Sequence, residues 1–125
     1  DSTITGPEGK RVQVIMLDTR FFRSELKRME WTRERPPLGG YLPDDSLDKT
    51  VLGEVQWAWL EAELAKPADL RIVVSSTQVI TTAHQFEGWT NFPAERARLF
   101  DLLAAREASG LVLLSGDRHA AGIYK

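Results

Sequence analysis

Three short stretches of the chain are apolar and β-branched almost without interruption: Val12-Gln13-Val14-Ile15-Met16-Leu17, Leu70-Arg71-Ile72-Val73-Val74 and Leu111-Val112-Leu113-Leu114. Such runs, too short for helices and lacking strict alternation, predict strands covered on both faces. Between the second and third the period changes. Leu99, Phe100, Leu102 and Leu103 fall on one helical stripe, Pro93 suits a first helical turn, and Gly110 is placed to end the helix. Leu52 to Ala65 also has helical spacing and is closed by Lys66-Pro67. The order strand, helix, strand, helix, strand argues for parallel strands joined by right-handed crossovers, an α/β class.

At 100° per residue the first of these helices carries two apolar stripes. Leu52, Val55, Trp59 and Ala62 make one, and Trp57, Leu60 and Leu64 make another on nearly the opposite side. Such a helix asks for cover on two sides: either one Trp lies over the rim of the domain, or a further layer of protein packs there. Two long connections break the regular pattern. Roughly 30 residues rich in Pro, Gly and charge follow the first strand, and Gln78 to Phe92 follow the second. In a parallel sheet both leave from the carboxyl ends of strands, the side on which open α/β sheets bind ligands.

Each predicted strand also ends in polar groups: Asp18-Thr19-Arg20, Ser75-Ser76-Thr77-Gln78 and Ser115-Gly116-Asp117-Arg118-His119. Parallel geometry brings the three sets to one rim, where carboxylates, hydroxyls, guanidinium groups and an imidazole make a stock suited to metal and phosphate together. Asp117 and His119 are alternate residues of a tight turn and can aim an oxygen and a nitrogen at one or two adjacent cations. Plain turn chemistry is the competing account of Gly116-Asp117. Asp18 and Arg20 read equally as a structural ion pair. His84 has no obvious partner. Trp31, Tyr41, Phe86 and Trp89 either wall a pocket or form small satellite cores. Glu95, Arg96 and Arg98 open the last helix, where Glu favours the positive end of the dipole and a structural role suffices.

Composition narrows the chemistry. At 125 residues and 42% hydrophobic content the chain is expected to form one domain with one core. Sixteen basic and eighteen acidic residues leave a formal charge of −2, with the basic ones scattered, so no nucleic-acid partner is expected. There is no cysteine, so any metal must bind oxygen or imidazole. No apolar run approaches the roughly 18 residues that cross a bilayer, and no transmembrane segment is expected. The opening residues, 1–7, lack the basic and apolar regions of a signal peptide.

The motifs also follow one another as in a known family. Val12 to Arg23 with its Leu-Asp-Thr-Arg core, Leu52-Gly53-Glu54 with Gln56-Trp57 and Trp59-Leu60, Val74-Ser75-Ser76 with Gln78, Asn91-Phe92-Pro93-Ala94-Glu95-Arg96, and Leu114-Ser115-Gly116-Asp117-Arg118-His119 together resemble PhoD-like phosphatases, the alkaline phosphatase D family. That family belongs to the calcineurin-like metallophosphoesterases. The resemblance implies a parallel-rich β-α-β-α-β segment of a metallophosphoesterase-type α/β/β/α sandwich, with two sheets packed face to face and a two-metal centre at the carboxyl ends of strands. It implies two divalent or trivalent ions, calcium and iron or similar, and a phosphate-ester substrate, mono- or diester. In the superfamily's Gly-His-x-His motif, Asp117 takes the first histidine's place and His119 the second, so both carry over as metal ligands and catalytic residues. Asp18 carries over as a third ligand, Ser76 and Gln78 only weakly, and Arg20 or Arg118 as contacts to phosphate oxygens. Family members are commonly exported, to the periplasm or the medium.

The family's earlier metal motifs, including an Asp-Asp-His type stretch, precede the region matched here. The chain is therefore expected to supply about half of the ligands and to be the carboxyl-terminal half of a catalytic domain, inactive in isolation. Three accounts follow: one segment of a longer polypeptide, a partner that brings the other half, or an inactive remnant. From another class altogether, the chain is a binding or assembly module, and an exposed apolar face would then drive self-association.

Overall fold

The computed structural model describes residues 2–30, 39–82, 86–106, 110–119 and 121–124. The three predicted strands are present at Arg11–Leu17 (β2), Leu70–Ser75 (β5) and Leu111–Ser115 (β6). They pair in parallel, β2 with β5 and β5 with β6. An edge strand not expected from the sequence, Ser2–Thr5 (β1), pairs antiparallel with β2, completing a four-stranded sheet in the order β1-β2-β5-β6. Its four residues, Ser-Thr-Ile-Thr, hold one aliphatic side chain, too little to register as a hydrophobic run. Lys27–Arg28 (β3) and Tyr41–Leu42 (β4) form a separate two-stranded ribbon within the long connection after β2.

The helices are Gly53–Leu64 (α1) and Pro93–Ala105 (α2). Gly110 does not end α2, which stops at Ala105. Instead it stands directly before β6 at φ +73°, where a Cβ would lie 2.6 Å from the Asp69 carbonyl.

The strands are not covered on both faces. Because β2, β5 and β6 advance across the sheet in one direction, two crossovers of the same hand place both helices on the same side. On that side Ile15, Leu17 and Val73 join Trp57, Leu60, Leu64, Trp89, Phe92, Leu99 and Leu103 in one core. The other side is apolar and open. Its rows follow the register: Met16 beside Val74 and Leu114, Val14 beside Ile72 and Val112, Ile4 beside Val12 and Leu70. Met16 is 69% exposed, Leu114 49% and Val112 41%. The runs read as continuous because both faces are apolar, which says nothing about whether both are covered.

The two apolar stripes of α1 are covered unequally, with Leu52 of the first stripe buried at the entry to the helix. Gln56, Trp57, Leu60, Glu63 and Leu64 are buried, whereas Val55 is exposed and Trp59 only partly packed on the core.

Polar groups clamp both ends of α1. At its carboxyl end, Gln13 of β2 donates to the Glu63 carbonyl (3.1 Å) and accepts from Arg71 Nε (2.7 Å), while Arg71 Nη2 donates to the Lys66 carbonyl (2.6 Å). Gln13 and Arg71 thus interrupt the apolar runs on the helix-covered face and satisfy one another there. At its amino end, the buried Glu95 carboxylate of α2 accepts from the Thr50 hydroxyl, the Val51 N–H (both 2.8 Å), the Leu52 N–H (3.4 Å) and the Trp57 indole (2.9 Å). The structural role expected for Glu95 is present, although the helix it serves is α1.

Candidate functional site

The register fixes where the chemistry gathers. Leu17, Ser75 and Ser115 are aligned across β2, β5 and β6, so the polar segments that follow them emerge side by side at one edge of the sheet. Asp18 is the best anchored residue of this rim. The side chain of Gln56 on α1 grips its backbone, accepting from the Asp18 N–H and donating to its carbonyl, each at 2.8 Å. The Asp18 carboxylate turns back to accept the N–H groups of Arg20 (2.9 Å) and Phe21 (3.0 Å). Those backbone bonds, Phe21 first and Arg20 second, hold its carboxyl below the ordinary aspartate range.

Asp18 and Arg20 are therefore not an ion pair. Arg20 Nη1 is bound by both oxygens of Glu87, each at 2.7 Å, and its Nη2 lies 3.6 Å from Asp117 Oδ2. Arg23 Nη1 approaches the same Glu87 at 3.0 Å, close enough for an ion pair but not aligned as a hydrogen bond, and Arg23 Nε is buried without a hydrogen-bond partner.

The middle segment is largely occupied with holding the rim together. Ser76 shares a hydroxyl–hydroxyl bond with the buried Thr19, and Gln78 Nε2 donates to the Gly116 carbonyl. Ser75 accepts from the Trp89 indole (3.0 Å) and donates to the Thr77 carbonyl (2.7 Å). Trp89 is thus a core residue, fully buried and edge-on to Trp57, rather than a pocket wall.

The last segment is strained, as is Glu8 (φ 60°) in the turn before β2. Asp117 and His119 both adopt left-handed backbone, at φ 63° and 56°. For side chains without glycine's freedom this costs on the order of 1 kcal/mol or more each, the kind of cost that collects at functional turns. Asp117, Arg118 and His119 line a cavity of about 470 Å³ together with Tyr41, Phe86 and Glu87. Tyr41 is held at the ribbon, its ring 5.3 Å below the Arg28 guanidinium. A second cavity, about 430 Å³, lies at the start of α1 and contains none of the rim residues.

Asp117, Arg118, His119 and Arg20 are thus brought together; Asp18 stands on the same rim with one oxygen committed to the backbone. Tyr41 and Phe86 wall the cavity. Trp31 and His84 lie outside the described residues. Glu87 and Arg23 were not singled out in the sequence. A carboxylate in the Gln78–Phe92 connection carries no spacing signal, and only the fold shows it facing two arginines from the turn after β2.

The donor set has the right chemistry for a hard or borderline cation, an oxygen and an imidazole nitrogen two residues apart. Among the described residues no three Asp, Glu, His or Cys side chains converge as a metal site. Among those residues, too, no helix is long and apolar enough to cross a membrane. The family model for PhoD-like phosphatase matches residues 7–125. No curated protein and no solved structure matches the chain.

Proposed function

The chain belongs to the PhoD-like phosphatase family, and from that premise we propose that it contributes one side of a two-metal centre hydrolysing phosphate mono- or diesters. The observation that carries the proposal is the cavity at the carboxyl ends of β2, β5 and β6, where Asp117, Arg118 and His119 meet the Arg20–Glu87 pair. Asp117 and His119 are the catalytic residues of this chain and its ligands, with Asp18 a third ligand through the oxygen it does not give to the backbone. Ser76 and Gln78 are weaker ligands that also brace the rim, Ser76 through Thr19 and Gln78 through an Nε2 bond to the Gly116 carbonyl that leaves its Oε1 to a cation.

When bound, ions such as calcium and iron supply Lewis-acid polarisation of the phosphoryl group and a more acidic water. The residues of the chain do the rest. Arg20 and Arg118 offer N–H donors to the non-bridging phosphate oxygens. The turn at Asp117–His119 presents its carboxylate and imidazole to the cavity. Tyr41 and Phe86 hold the ester group and exclude water from that side of the cavity.

Residues 1–125 form one domain in this reading, the carboxyl-terminal half of a catalytic domain. The open apolar face of the sheet supports it, because a sandwich of two sheets would cover the rows at Met16, Val14 and Val12.

Metal removal tests the proposal. In the polypeptide that carries this segment, a chelator should lower hydrolysis of a chromogenic phosphodiester by about 100-fold or more, and calcium with iron should restore it. A rate unchanged by exhaustive chelation would rule out the metal centre.

A further inference from the structure

Glu87 stands in the connection after β5, just before a stretch of backbone that is tied down. The Trp89 N–H donates to the Gln78 carbonyl (2.9 Å), the Gly88 N–H donates to Asn91 Oδ1 (2.8 Å), and Trp89 itself is buried and tied to Ser75. Gly88 runs so close to the Gln78 carbonyl that a Cβ would lie 3.2 Å from it. The Glu87 side chain that precedes it is only 18% exposed.

Arg20 is the opposite case. Its side chain is 54% exposed at a turn, and a long flexible arginine in that position samples many rotamers unless something fixes it. Both oxygens of Glu87 do so, leaving Nη2 beside Asp117 at 3.6 Å. Arg23 Nη1 approaches Oε1 of the same carboxylate at 3.0 Å.

We propose that Glu87 is a positioning residue of the site, holding the Arg20 guanidinium next to Asp117 so that its remaining N–H groups meet the phosphoryl oxygens of an anionic ester. The inference rests on the phosphoesterase reading above and goes beyond it: Arg20 makes the contact, and Glu87 touches no reacting atom. Such an arrangement acts on binding of the phosphate anion more than on the chemical step. Its signature is a separation of KM from kcat.

The test uses the polypeptide that carries residues 1–125, a chromogenic aryl phosphodiester as substrate and inorganic phosphate as competitive inhibitor. Glu87→Gln should raise KM and the phosphate inhibition constant together by about tenfold, with kcat within about threefold. Arg20→Ala should do at least as much, and the double variant should be no worse than Arg20→Ala alone, because the two act as one unit. A Glu87→Gln enzyme with both constants within about twofold of the unsubstituted protein would overturn the proposal, as would effects that multiply in the double variant. Should Glu87→Gln fail to fold, side-chain NMR of the unsubstituted protein decides. An ordered Arg20 Nε–H that shifts on adding inorganic phosphate is expected, and a disordered one overturns the proposal. Loss of turnover in Asp117→Ala beside an unaffected Glu87→Gln defeats only the role of Glu87, whereas an unaffected Asp117→Ala defeats the site itself.

Discussion

The Glu95 carboxylate lies under the first turn of α1 at 7% exposure, accepting from a hydroxyl, two backbone N–H groups and an indole. Replacing it with alanine leaves these donors buried without an acceptor, each a loss on the order of 1 kcal/mol. Glu95→Ala should therefore lower the free energy of unfolding by about 3–5 kcal/mol, read from the urea midpoint, with Glu95→Gln losing less because an acceptor remains. A loss below about 1 kcal/mol would contradict this account of the cap. The sequence showed that Glu95 is structural, from its place in the first turn of a helix. It did not show which helix, since the donors come from Thr50 to Trp57, brought alongside only by the crossover. Asp18 and Arg20 teach the same lesson. Two residues apart, they suggested a mutual ion pair, yet the aspartate is satisfied by backbone and the arginine by Glu87, 67 positions away.

At the scale of elements, three strands and two helices were legible because each carries its own period: β-branched runs for β2, β5 and β6, helical stripes with Pro93 and Pro67 as punctuation for α1 and α2. The edge strand β1 and the ribbon of β3 and β4 were not, being short and mostly polar, with stability that comes from neighbours rather than from a pattern. Gly110 belongs here as well. A glycine after a helix reads as a terminator, but its positive φ and the Asp69 carbonyl beneath it make it the entry to β6. Gly110→Ala should destabilise the chain by about 2 kcal/mol or more, by strain at positive φ and displacement of Asp69. Thermal unfolding checks this, and an unchanged midpoint would show that the entry to β6 is not tightly constrained.

Over the whole molecule the sheet has one face covered by helices and one open apolar face. The rim was legible because parallel strands necessarily end on the same side, whatever their order. The open face was not, because strand order decides on which side the crossovers place their helices, and composition does not reveal it. If the chain is half of a two-sheet domain, Leu114→Asp, on the open face, should change the stability of residues 1–125 alone by no more than about 0.5 kcal/mol. In the longer polypeptide the same change should cost about 3 kcal/mol or more, since it would bury an unpaired carboxylate between sheets. Equal costs in both would argue against a covering sheet. The central claim is that Asp117 and His119 belong to the metal centre of a phosphoesterase. Its most direct measurement is metal content together with phosphodiester turnover in the polypeptide that carries residues 1–125, with Asp117→Ala or His119→Ala. The account predicts substoichiometric metal and turnover reduced about 100-fold or more in each variant; full metal content with an undiminished rate in either would contradict it.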